Sequence, residues 1–167
     1  MKWHDDQVCV VQLASSRHVV LLDALSLPST AMQMHLQALF EDEGVVKVCH
    51  GHINNLAWVL DIGMISPIFD IAEHAQALHG LPPDGQPSLE AMCCRYLNYQ
   101  LKNMYQNANW RQRPMPAEML QYAAMEVGAL LPLGFALEVA TDKVAMDVRL
   151  QDAESETASA NEFEFFC

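Results

Sequence analysis

The chain has 167 residues, a length that fits one domain able to bury a sizeable core. With 51% hydrophobic and 18% charged residues it reads as a packed globular protein, which excludes wholesale intrinsic disorder. Nine Lys+Arg against 21 Asp+Glu give a formal net charge of −12, which argues against non-specific adhesion to phosphate backbones but leaves room for a local basic patch or a metal-bridged contact.

The opening MKWHDDQ has no apolar stretch after its charges and does not read as a signal peptide. Residues 8–14, VCVVQLA, are short and rich in β-branched residues, so they predict a strand. SSRH is a turn, and VVLLDAL (19–25) predicts a second strand that forms a hairpin with the first. Ser29 or Thr30 is placed to cap a helix over about 31–43, in which Met32, Leu36, Leu39 and Phe40 recur at helical spacing and Gly44 is the stop.

VVKVCH (45–50) predicts a third strand, apolar enough to lie inside a sheet covered on both faces. After the His50-Gly51 break, Leu56, Val59 and Leu60 mark one face of a helix over 53–61. PIFDIAEHAQAL (67–78) begins extended and turns helical, with Asp70 as a cap or turn residue. The loop HGLPPDGQP leads to a helix over 89 to about 97 capped by Ser88. After the irregular NMYQNANWRQRPMP, Pro116 opens a long helix over about 117–141, in the first-turn place that proline favours.

Residues 1–145 are expected to form the α/β domain, with a mixed sheet, and 146–167 an acidic, disordered tail that ends in the apolar FEFFC. The longest apolar stretch, about 127–140, carries Gly and Pro and is too short for a membrane span. The five cysteines are odd in number and lack CxxC spacing, so reduced thiols in the cytoplasm or nucleus are expected.

Several residues carry competing readings. His50 and His52 suit zinc, but no further ligand spacing supports it and a turn or capping role is preferred. Asn54 and Asn55 read equally as a helix-mouth cap or as a nucleic-acid contact. Trp58 reads as core. Trp110 reads as loop packing or, less readily, as a base-stacking platform. Arg111 and Arg113 fit phosphate contacts and local ion pairs equally well, and the ten methionines read as core filler.

Two blocks are less generic: KVCHGHINNLAWVLDIGMISPIFDIAEHAQAL (47–78) and NANWRQRPMPAEMLQYAAMEVGALLPL (107–133). With their spacing they resemble the RNase D-like branch of the DEDD 3′–5′ exonucleases. The Trp110, Arg113-Pro114 and Tyr122 spacing is the specific part of that resemblance, which spans most of 8–140. It implies a ribonuclease-H-like mixed sheet flanked by helices. It also implies hydrolysis of terminal phosphodiesters by two divalent ions about 4 Å apart, Mg²⁺ or Mn²⁺, held by carboxylates.

Carried over residue by residue, the water-orienting tyrosine is Tyr122. The acid four residues later is Glu126, a glutamate in place of aspartate and the one expected metal ligand. The acid of the His-Gly block is Asn55, which has lost its charge. The two acids of a D-x-E first strand would lie further upstream than the seven residues before Val8 allow, so the fold is expected to lack its first strand and to expose a sheet edge. The nucleic-acid-binding candidates are His50, Asn54, Trp110, Arg111 and Arg113. The resemblance implies nucleic acid as partner, RNA rather than DNA, with a protein partner or a homo-oligomer as further possibilities. Catalytic metal is expected to bind weakly or not at all, and the alternative function is a non-catalytic RNA-binding or protein-scaffold module.

Overall fold

The computed structural model describes residues 8–51, 65–82, 84–102 and 104–141. Strand β1 (Val10–Ala14) pairs antiparallel with β2 (Val19–Asp23), in a register running from Val10↔Asp23 to Ala14↔Val19. The intervening turn closes on Ser15, whose Oγ accepts from the His18 amide at 3.1 Å and the Arg17 amide at 3.3 Å. The expected hairpin is therefore present.

Helix α1 spans Ser29–Phe40. Neither Ser29 nor Thr30 caps it. Pro28 is the N-cap, and its carbonyl accepts the first helical hydrogen bond, from the Met32 amide at 3.1 Å, which puts both residues inside the helix. The helix also ends earlier than expected, because the Asp42 carboxylate takes the Gly44 amide at 2.8 Å and turns the chain first.

Strand β3 (Lys47–Cys49) is shorter than its apolar run and pairs in parallel with β4 (Ile68–Asp70). Lys47 is tolerated in this buried strand because its ammonium donates to the carbonyls of Asp42 at 2.5 Å and Ser66 at 2.6 Å. Helix α2 (Ile71–Leu78) starts on the Asp70 cap, and α3 (Leu89–Leu97) on Ser88, whose Oγ accepts from the Ala91 amide at 3.2 Å. Helix α4 (Ala117–Gly128) follows Pro116, which sits at the N-cap rather than in the first turn. Helical turns resume over 130–141, so one continuous rod runs Ala117–Thr141.

That rod is long and apolar enough to cross a membrane, unlike the shorter apolar stretch within it. Yet Tyr122, Ala123, Leu133 and Leu137 are buried in protein, as befits a core helix. Its first half packs on the hairpin, with Met119, Tyr122 and Ala123 against Cys9, Val10 and Trp110. Its second half packs on the other ladder, where a side chain at Gly134 would meet Val48 Cγ1 at 3.5 Å. Of the methionines, Met92 and Met119 fill the core at 1% and 3% exposure, whereas Met34 and Met104 lie out at 63% and 72%.

The three strands do not share one sheet as expected. Among the described residues there are two two-stranded sheets, β1–β2 and β3–β4, with no ladder joining β1 to β3. The helix expected over 53–61 and the boundary expected at 145 lie outside the described residues.

Candidate catalytic site

Tyr122 and Glu126 lie one turn apart on α4, a spacing that stacks side chains on one helix face. The Tyr122 hydroxyl donates to Glu126 Oε1 at 2.7 Å. The ring itself is buried, with Tyr105 and Trp110 at centroid distances of 5.9 and 6.3 Å. Burial pushes the phenol well above its ordinary range, and the hydrogen bond to Glu126 and the charge of Glu126 add to that. Tyr122 is therefore a neutral donor across the physiological range and holds one oxygen of the carboxylate in place.

Trp110 is 3% exposed, with its ring among Tyr122, Met119 and Cys9. A base could stack on it only by displacing those neighbours, which favours the packing reading. Its indole Nε1–H is buried and faces no acceptor among the described residues.

Arg113 shows why the Trp-x-x-Arg spacing matters locally. Its Nε and Nη2 donate to the two Asp23 carboxylate oxygens at 2.7 and 2.5 Å. Nη1 donates to the carbonyls of Trp110 and Gln112, both at 2.8 Å, and Nη2 also reaches the Cys9 carbonyl at 3.1 Å. The guanidinium clamps the loop to both strands of the hairpin, so the ion-pair reading fits it better than phosphate contact. The guanidinium draws the Asp23 carboxyl well below the usual carboxylate range, against a smaller opposing effect of burial. Sequence reasoning missed Asp23, although an acid closing the apolar strand VVLLD was a visible signal. Arg111 is exposed in the same loop, and its amide donates to Asn109 Oδ1 at 3.2 Å.

A second group forms at the end of β3. Asp70 Oδ1 accepts from the Gly51 amide at 3.0 Å and the Ala72 amide at 2.9 Å, so one carboxylate both caps α2 and holds the turn after His50. Gly51 has φ +67°, a left-handed conformation that favours glycine. His50 Nε2 lies 2.9 Å from the Pro87 carbonyl, which can only accept, so that nitrogen carries a proton and His50 ties the turn to the loop before α3. The Cys49 thiol, beside Asp70, is pushed up to about 12, chiefly by burial and then by the Asp70 charge. This is the structural role preferred for His50. Asn54 and Asn55, together with His52 and Trp58, lie outside the described residues.

Exonucleases of the family named above use divalent metals. Among the described residues no three His, Cys, Asp or Glu side chains are gathered to hold an ion, and Glu126 already has one oxygen on Tyr122. The described donors therefore do not fit a two-ion centre.

Comparison with known proteins agrees with the fold and the motif. The family model for 3′–5′ exonuclease matches residues 2–142. Exosome complex component 10 of Homo sapiens is 32% identical over 125 residues, covering 74% of this chain and 13% of that protein. Exosome complex exonuclease RRP6 of Saccharomyces cerevisiae is 32% identical over 127 residues, covering 74% of this chain and 16% of that protein. The chain thus spans a small part of the length of these relatives. Among solved structures, the catalytic core of RRP6 from Trypanosoma brucei aligns with a TM-score of 0.66 at 29% identity, over 78% of this chain and 35% of that one. Escherichia coli RNase D aligns at 0.70 and 24% identity, over 89% and 40% of the two chains, a likeness of fold. With a buried tyrosine bonded to an acid one turn on, a Trp-x-x-Arg-Pro loop clamped beside it, and a family match across most of its length, this chain belongs to the RNase D-like 3′–5′ exonucleases, with a ribonuclease-H-like fold.

Proposed function

We propose that this chain engages the 3′ end of single-stranded RNA and that, by itself, it hydrolyses it poorly. The observation that carries the reading is the Tyr122–Glu126 hydrogen bond of 2.7 Å, which keeps the family's tyrosine and one acid in register. Beside it stands the change at Asn55, where the resemblance calls for a carboxylate. An amide oxygen can ligate a cation but brings no negative charge, so two closely spaced ions lack the field that would hold them together. Mg²⁺ or Mn²⁺ binding is accordingly weak. RNA is favoured over DNA because two of the relatives named above are exosome proteins and another is an RNase. The same names support a protein partner.

The test is a 3′-end degradation assay on labelled single-stranded RNA and DNA, with the Glu126→Ala variant as control. The expected result is RNA binding with product formation no faster than the control, and a gain on Asn55→Asp. Rapid shortening that Glu126→Ala or Tyr122→Phe abolishes would overturn the reading. A titration with Mn²⁺ should show no micromolar site, and tight binding lost in Glu126→Ala would count against it.

The net charge of −12 supports a second reading, a protein-scaffold module. RNA affinity that falls steeply with salt argues for the first, and no measurable RNA binding argues for the second. The four cysteines described are not joined in disulfides, in keeping with a proposed cytoplasmic or nuclear location.

A further inference from the structure

Charge is unevenly spread along the chain. Residues 91–117 contain four of the nine Lys+Arg and none of the 21 Asp+Glu, although the whole chain carries −12. Arg113 is taken up by Asp23, and Arg111 lies in the loop beside Trp110. The other two, Arg95 and Lys102, are exposed around the C-terminus of α3, and among the described residues neither is paired with a carboxylate. The acid of that helix, Glu90, lies in its first turn, at the opposite end.

Local structure places these groups side by side. Asn98 takes a left-handed conformation, φ 49°, and ends α3, while the Tyr99 amide returns to the Cys93 carbonyl at 3.1 Å. Leu101 then anchors the chain at 0% exposure, in the cluster that holds Met92, Cys93 and Leu133. With Leu101 fixed inside, Tyr99 at 39% exposure and Lys102 stay at the surface on either side of it. Tyr96 is half-buried and held in place: its hydroxyl bonds to His79 Nε2, and its ring stacks on the imidazole at a centroid distance of 6.1 Å. The Arg95 guanidinium lies 5.8 Å from the centre of the same tyrosine ring. A cation resting on an anchored ring loses less freedom on taking an anion than one on a free side chain.

The same segment leads to the candidate catalytic pair. Three residues after Lys102, the Tyr105 ring lies 5.9 Å from that of Tyr122, whose hydroxyl bonds to Glu126. Three residues of chain reach about 11 Å at most, so the Lys102 backbone stays within that distance of Tyr105. Trp110 is enclosed and offers no face to a base, whereas Tyr99 is exposed with a cation on each side of it in the chain.

We propose that Arg95, Tyr99 and Lys102 form a track for single-stranded RNA that leads to Tyr122 and Glu126, with Arg95 and Lys102 taking backbone phosphates and a base stacked on Tyr99. The proposal rests on the reading that the chain engages an RNA 3′ end, and adds where the strand lies upstream of that end. Cations beside an exposed aromatic hold a single strand without reading its sequence, because the charges follow the backbone and every base has a face to stack. The acid-free stretch makes this workable in a protein of net charge −12. Elsewhere the chain sets five Lys+Arg against 21 Asp+Glu, a balance that repels a polyanion and steers it toward this surface.

The test is fluorescence anisotropy on the whole chain, without divalent ions so that cleavage does not intervene. The probes are a labelled oligouridylate of about twelve nucleotides and an abasic strand of the same length. Tyr99→Ala should weaken RNA binding about tenfold, Tyr99→Phe should restore it, and the abasic strand should not distinguish the two. Arg95→Gln and Lys102→Gln should each weaken binding several-fold and flatten the slope of log affinity against log salt by about 0.7. Circular dichroism unchanged from the parent separates lost contacts from lost folding. RNA bound by the parent and equally well by every variant overturns the track and leaves the 3′-end reading standing. No RNA binding by the parent overturns both. Polyglutamate bound as tightly as RNA, with the same loss on Arg95→Gln and Lys102→Gln, would assign the cations to an acidic protein partner and also overturn the track.

Discussion

The Tyr122 hydroxyl donates a 2.7 Å hydrogen bond to Glu126, its neighbour one turn along α4. The raised phenol pKa ties this contact to stability. A group that holds its proton more tightly when folded stabilises the fold fully below its unfolded pKa, about 10, and loses that contribution as the pH rises above it. Tyr122→Phe should therefore cost about 1 kcal/mol at neutral pH, and the gap to the parent should close in alkali. Chemical denaturation at two pH values measures it. In absorbance titration the variant should lose the last tyrosine to ionise.

Asp23→Asn tests the clamp. The Asp23 carboxyl is depressed, so its contribution is present above the unfolded value of about 4 and is lost as the pH falls below it. At neutral pH the variant should lose about 1–2 kcal/mol, allowing for the partial exposure of both partners. The difference should shrink in acid, and thermal unfolding from neutral pH downward reads it. A constant difference across that range would refute the ion-pair account.

Asp70→Ala removes a helix cap and a tie to the Gly51 turn at once. The expected cost is about 2 kcal/mol, roughly 1 for the cap and the rest for the released amide. Asp70→Asn keeps an acceptor oxygen and should cost less. Equal losses in the two variants would mean that charge, rather than hydrogen bonding, holds the turn.

Cysteine reactivity should follow burial. Cys94 is exposed, whereas Cys9, Cys49 and Cys93 are buried, and burial raises the thiol pKa of both Cys49 and Cys93. Alkylation at mildly alkaline pH, read by peptide mass spectrometry, should label Cys94 well before those three. Cys49 labelling as fast as Cys94 would show that the end of β3 opens to solvent.

The hairpin, the Ser88-capped helix and the Asp70 cap were legible in the sequence because each depends on neighbours a few residues apart. A β-branched run, a serine before a helical pattern, or an aspartate at a strand end carries its own instruction. The pairing of Tyr122 with Glu126 was implied by the same local logic, since residues four apart share a helix face.

What lay beyond the sequence were contacts between residues far apart in the chain. Nothing local links Arg113 to Asp23 across ninety positions, yet that pairing turned a candidate phosphate contact into a clamp. Local sequence favours packing for Trp110 but leaves a stacking platform open beside two arginines, and it is the enclosure of the ring at 3% exposure that decides for packing. The amino-acid sequence by itself was enough to point to the family and to the strands and helices found among the described residues, because those depend on residue identity and spacing. Only the tertiary structure decided that the described strands divide into two sheets, with the rod Ala117–Thr141 packed on both. Strand partnership and burial are properties of the packed chain, set by which surfaces exclude water together.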